Sequence, residues 1–152
     1  MVFFRVFNGY VMSYKTTKRK LNKIFSEFIR LRDSNEYGIG QCISCGKFIT
    51  VWTKDDKLRF NQQAHAGHYY SRGASKSLYY DEKNVNLQCV KCNTFMEGNK
   101  QGYAQGLIRR YGDGILDFLA VKAKNESRLS TVDLELLIRE YEYKVKNLKE
   151  MI

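Results

Sequence analysis

The chain has 152 residues, 43% of them hydrophobic and 28% charged, with no proline and a net charge of +10. This balance excludes a disordered chain and suits one folded domain carrying a helical appendage. No apolar run approaches bilayer length, which excludes a membrane-spanning helix.

The opening "MVFFRVFNGYVM" is apolar but broken by Arg5 and Asn8. It lacks a small-residue cleavage site, so it reads as a strand-like leader, or sequence upstream of the true start, and points to a reducing cytoplasm. "TTKRKLNKIFSEFIRLRDSNEYGIG" contains an amphipathic helix: Leu21, Ile24, Phe25, Phe28 and Leu31 recur at three- and four-residue steps, with Thr16 or Thr17 as the cap. "CISCGK" is a knuckle, followed by a hairpin of "FITVW" and "KLRF" around Lys54-Asp55-Asp56. Residues 62–84 read as irregular and "VNLQC" as a short strand. "VKCNTFME" begins a helix that stops near Gly98, and two further helices are expected at 100–111 and 113–124. A last helix opens with a capping box, Ser130 with Asp133. Along it Leu134, Ile138, Tyr141, Val145, Leu148 and Ile152 step as a heptad seam, fit either to pair two chains or to pack on the chain's own body.

Charge is unevenly spread along these elements. Residues 1–32 carry eight Lys/Arg against Glu27 alone, and residues 57–110 carry nine basic and three acidic groups. Residues 126–152 carry five and six, close to neutral. The asymmetry points to a polyanion such as DNA held by the first two-thirds of the chain; the alternative is a solvated basic face. A membrane surface fits worse, because Tyr and Phe are scattered among the charges.

Cys42-x2-Cys45 and Cys89-x2-Cys92 are the four cysteines. Each pair lets two thiolates turn toward one ion, and two pairs complete a tetrahedral sulfur site without an open position, which suits a structural zinc. Two disulfides, a redox pair or an iron–sulfur cluster are the competing uses. The knuckles enclose a long loop that holds both histidines, His65 and His68, in "QAHAGHYYSRG".

The order knuckle, His68, Asn84, knuckle, Asn93 resembles the His-Asn-His/Asn (HNH, or ββα-metal) nuclease motif in a zinc-stapled form. "FSEFIRLRD", "CISCGK", "AGHYYSRG", "NVNLQCVKCN", "EGN" and "LIRRYGDGILDFL" resemble, more narrowly, the NinG/Rap family of phage recombination nucleases, over about residues 20 to 120. The motif order is also similar to the junction-resolving endonuclease VII. The resemblance implies His68 as general base, Asn93 as ligand of a catalytic Mg²⁺ or Mn²⁺, and Asn84 as the residue that holds the loop and orients the histidine. Many such nucleases carry Asp just before the base, where this chain has Gly67. His65, two residues earlier and so on the same strand face, is the candidate to fill that vacancy, with Glu82 and Asn99 in reserve. Asn86 stands where the family tends to have His. Arg72 and the helix cations Lys18, Arg19, Lys20 and Lys23 are the expected phosphate contacts.

The expectation is therefore an α+β fold with a zinc-stapled ββα-metal core over residues 36–112. A basic segment, 1–35, precedes it and a helical segment, 113–152, follows. The expected activity is metal-dependent endonuclease cleavage of branched recombination intermediates by a homodimer, in the host cytoplasm if phage-encoded. The rival functions are a non-catalytic zinc module that binds nucleic acid and a general HNH nicking enzyme.

Overall fold

The computed structural model describes residues 12–152, so the strand-like expectation for the leader lies outside it apart from Met12. Helix α1 (Tyr14–Arg32) buries Leu21, Phe25, Phe28 and Leu31 with Ile29 beside them, as their spacing predicts. Its cap is one turn earlier than expected. Ser13 Oγ accepts from the Thr16 amide at 3.2 Å, while Thr17 Oγ1 donates back to the Ser13 carbonyl at 3.0 Å.

Three small antiparallel sheets of two strands each follow. β1 (Ile39–Gln41) and β2 (Phe48–Thr50) pair around the first knuckle, and β3 (Trp52–Lys54) and β4 (Leu58–Phe60) pair around the predicted turn. "FITVW" is thus two strands parted at the fully buried Val51 rather than one. β5 (Ala64–His68) pairs with β6 (Val85–Cys89), Ala64 facing Cys89 and His68 facing Val85. β5 falls in the stretch expected to be irregular. Its Ala, Gly and His have weak strand preference, so the ladder is imposed by β6, whose residues are all buried.

The second knuckle leads into a single π-helical turn, Lys91–Phe95, not a helix reaching Gly98. Glu97, Gly98 and Asn99 then take φ of +48°, +90° and +41°, which reverses the chain into α2 (Lys100–Tyr111). α3 (Ile115–Ala123) and α4 (Thr131–Glu150) complete the order, and α4 opens on the predicted Ser130–Asp133 box.

The seam of α4 is covered from within the chain. Leu134, Ile138, Tyr141 and Val145 share one buried core with Leu21, Phe25, Phe28, Val51 and Leu87, and the Tyr141 ring meets Phe25 edge-on at 4.8 Å. Of the two uses expected for the stripe, the structure shows packing on the chain's own body: α1 occupies it. It also gives the three expected segments a common core. A second cluster, Leu78, Tyr103, Leu107, Ile115 and Leu119, ties the loop between β5 and β6 to α2 and α3. The fold is mixed α+β, and none of its described helices is long and apolar enough to cross a membrane.

Candidate metal centre and catalytic site

The β1–β2 turn, the end of β6 and the helical turn after it bring the four cysteines together, with all Sγ atoms within 4.8 Å of one another. Cys45 Sγ and Cys89 Sγ are 3.9 Å apart, near the edge of about 3.8 Å expected of a tetrahedron with zinc–sulfur arms of about 2.3 Å. Gly46 takes φ +73° to close the first knuckle, and its amide donates to the Cys42 carbonyl at 2.9 Å. Burial pushes the Cys92 thiol up to about 12 and raises that of Cys42, whereas hydrogen bonds to Cys45 outweigh its burial and hold its thiol below the usual value. These four thiols can hold a metal ion such as zinc. Asn99, a reserve ligand for the second ion, belongs here instead: it caps α2, and its Nδ2 donates to Cys92 Sγ at 3.3 Å.

His68 ends β5. Its Nε2 lies 2.9 Å from the Tyr79 carbonyl. Because a carbonyl only accepts, Nε2 carries the proton and Nδ1 is left as the basic nitrogen, without a hydrogen-bond partner among the described residues. The imidazole stacks on the Tyr79 ring at 4.4 Å. Burial lowers its pKa below the usual histidine value; the Tyr79 carbonyl opposes this, and the charges of Lys100 and Arg72 add to it. Lys100, which sequence reasoning missed, donates from Nζ to the His68 carbonyl at 2.8 Å and to that of Tyr69. Nothing but its place after "EGN" marked it. Tyr103, also missed, donates to the Gly67 carbonyl at 2.7 Å and is fully buried.

Asn84 is fully buried and ties down both ends of the loop that follows His68. Its Oδ1 accepts from the Tyr70 amide at 2.8 Å, and its Nδ2 donates to the carbonyls of Tyr70 and Leu78 at 3.0 and 2.9 Å. Tyr79, the residue that fixes His68, follows Leu78 directly. Asn86 joins helices instead, accepting from Arg32 of α1 at 3.3 Å and from Arg110 and Tyr111 of α2 at 3.0 and 3.2 Å. Glu82, the other reserve ligand, is engaged by α4 through Lys144 at 2.6 Å and Tyr141 at 3.1 Å.

His65 and Asn93 meet, although 28 residues separate them: Asn93 Nδ2 is 2.9 Å from His65 Nδ1. His65 Nε2 is 3.1 Å from the Gln62 carbonyl. His65 and His68, three apart on one strand, leave its opposite faces. Beside Asn93, the space off Gly67 where an Asp side chain would stand is filled by the side chain of Gln88.

The expected phosphate contacts divide. Lys18 and Arg72 line one cleft with Lys76, Arg128, Tyr14 and Tyr79, and the Arg72 guanidinium lies 4.8 Å over the Tyr79 ring that also stacks on His68. Arg19 and Lys23 are exposed. Lys20 turns toward α4 and pairs with Glu142 at 2.8 Å.

Comparison with known proteins adds a family. The model of the family described as "NinG: Bacteriophage Lambda NinG protein" matches residues 5–151. The chain is 31% identical to protein ninG of Salmonella phage P22 over 132 residues, which is 87% of this chain and 57% of that protein. It is 30% identical to protein ninG of Escherichia phage lambda over 131 residues, 86% of this chain and 56% of that one. It therefore spans a little over half the length of these relatives. No solved structure matches it.

Proposed function

The chain belongs to the NinG family, and from that premise we propose that it is a metal-dependent DNA endonuclease with a zinc-stapled ββα-metal core, acting on branched recombination intermediates. The observation that carries this is the state of His68: a half-buried imidazole whose proton is pinned on Nε2 by Tyr79, whose Nδ1 is open, and whose pKa is lowered toward the neutral form. A module that only binds DNA has no use for a tautomer held in this way. The β5–β6 pair followed by the helical turn bearing Asn93 has the ββα order, and the cysteine cluster holds the turn's start to β6.

In the proposed reaction His68 Nδ1 takes a proton from water as that oxygen bonds to phosphorus. The bond from phosphorus to the 3′ oxygen breaks, and the leaving oxygen takes a proton from solvent, giving 5′-phosphate and 3′-hydroxyl ends. Asn93 is the residue that would hold a divalent ion; its amide oxygen, with the Gln88 amide oxygen close by, suits Mg²⁺ or Mn²⁺, while His65, both of whose ring nitrogens are engaged, holds the Asn93 amide in place. When bound, such an ion stabilises charge on the scissile phosphate and the leaving oxygen. Asn84 keeps Tyr79, and through it His68, in place. The cleft of Lys18, Arg72, Lys76 and Arg128 would carry the phosphates of one arm toward His68. Resolving a four-way junction takes two cuts and each chain has one His68, so two chains act together in the host cytoplasm, through a surface other than the α4 seam.

The test is cleavage of a four-way junction, a flap and a matched linear duplex, each with Mg²⁺ or Mn²⁺ and with chelator. Cutting of the branched substrates that requires the ion is expected. Equal cutting of the linear duplex would make the chain a general nicking enzyme, and binding without cutting under any divalent ion would make it a zinc-containing binding module.

A further inference from the structure

We propose that Gln88 is an oxygen ligand of the divalent ion, standing in for the carboxylate that similar nucleases carry at the position of Gly67. The identity of the ion rests on the nuclease reading above. The role of Gln88 rests on how three side chains are held.

Gly67 lies inside β5 and is not among the glycines with positive φ, so no left-handed backbone requires it. Space does. A Cβ at this position would overlap Gln88 Oε1, would lie 2.7 Å from Gln88 Cδ, and would reach Asn93 Oδ1 at 3.0 Å. Gln88 pairs with His65 across the ladder, and its side chain reaches diagonally over Gly67 on the same face. Two amide oxygens therefore crowd the spot from which an aspartate would have projected.

Neither amide can turn its oxygen away. Gln88 Nε2 lies 2.7 Å from Ser44 Oγ and 2.8 Å from the Gly98 carbonyl. A carbonyl only accepts, so the nitrogen must face it, and Oε1 must face Gly67. The same reasoning fixes Asn93. His65 Nε2 donates to the Gln62 carbonyl, so His65 Nδ1 is an acceptor, and the nitrogen of Asn93 must be the atom that meets it. Asn93 Oδ1 is then the atom left near Gly67. His65 acts here as a positioning residue for Asn93.

Gln88 is fully buried, and its Oε1 is the buried side-chain atom without a hydrogen-bond partner among the described residues. Buried acceptors are almost always satisfied. An orphan oxygen beside a second amide oxygen, with no donor between them, is an arrangement that a hard cation satisfies and that an apolar packing role does not explain. The donors are neutral, so the ion would bind modestly to the protein alone and more firmly once a phosphate supplies charge.

The test uses the zinc-loaded full chain and reads Mn²⁺ binding by electron paramagnetic resonance, alone and with a short duplex, with zinc content and melting temperature as fold controls. Gln88→Ala should weaken Mn²⁺ binding by roughly tenfold or more, the scale on which even outer partners of a metal matter. Gln88→Glu, which keeps the shape and adds charge, should tighten it. Gly67→Asp combined with Gln88→Ala should restore binding, because the lost oxygen returns from the opposite strand. Unchanged Mn²⁺ affinity in a folded Gln88→Ala, or failure of the double change to recover it, would reduce the orphan oxygen to a buried-water site and overturn the proposal while wild-type cleavage still stood. A wild type that neither binds Mn²⁺ nor cuts with any divalent ion would overturn both.

Discussion

In the proposed reaction the imidazole of His68 is the residue on which the chemistry turns, and its surroundings set a pH dependence. A base must be neutral to act. Burial and the nearby Lys100 and Arg72 charges lower its pKa against the pull of the Tyr79 carbonyl, so cleavage should fall on acidification with a midpoint below the ordinary histidine value of about 6.5. A pH–rate profile of kcat/KM at saturating Mn²⁺ checks this, and a midpoint above that value would contradict it. Asp33 sets a different dependence. Burial alone would raise its carboxyl, but hydrogen bonds and charge from Arg32 and Arg110 outweigh burial and hold it low. Folded below its unfolded value, it adds stability at neutral pH that is lost as pH falls through the carboxylate range. Asp33 also accepts from the Leu87 amide at 2.9 Å, which links α1 and α2 to β6. Asp33→Asn should cost about 2–3 kcal/mol in urea denaturation at neutral pH, less than a fully buried pair because Arg110 is a third exposed. At this scale the sequence exposed His68 and the cysteines, whose types are rare and chemically marked. It hid Lys100 and Gln88, because an ordinary Lys or Gln acquires meaning only from the neighbours that folding supplies.

Helices α1 and α4 act as one element pair. Ile138 is 4% exposed in their shared core, so Ile138→Ala should destabilise the chain by about 2–4 kcal/mol, and introducing Lys at Ile138 and Val145 should unfold the chain rather than split a dimer. Circular dichroism melting distinguishes the two; a folded, newly monomeric double variant would contradict the internal seam. The cations of α1 also separate by element. Replacing Lys18, Arg72 and Arg128 by Gln should flatten the dependence of log affinity on log salt by up to about 0.9 per lost duplex contact. Lys20→Gln should leave the slope unchanged, because Lys20 faces Glu142. Equal effects from both sets would place DNA elsewhere. The long helices and β6 were legible from apolar spacing and caps, whereas β5 was not. "AHAGH" has neither alternation nor branched residues, and it is a strand because β6 and the cysteine knuckles hold it there. The heptad stripe told which face of α4 is buried, but spacing cannot say whether the covering helix comes from the same chain.

In the proposed reading the whole molecule joins a structural centre to a chemical one. The cysteines close the ends of β1–β2 and β6, and β6 carries Gln88 and faces the strand bearing both histidines, so loss of the sulfur site should disorder the site as well as the knuckles. Structural metal supplies folding free energy directly. One zinc per chain is expected by elemental analysis, and Cys89→Ser or strong chelation should cause cooperative loss of structure; a metal-free chain with unchanged melting would contradict this. In the proposed reaction this family member cuts DNA with His68 as its base. The most direct measurement is the single-turnover cleavage rate of a four-way junction at saturating enzyme and Mn²⁺, for wild type and His68→Ala, with junction affinity measured in parallel. Equal binding and a rate lower by about 10² to 10⁴ are expected of the variant; equal cleavage rates at equal affinity would rule out His68 as the base.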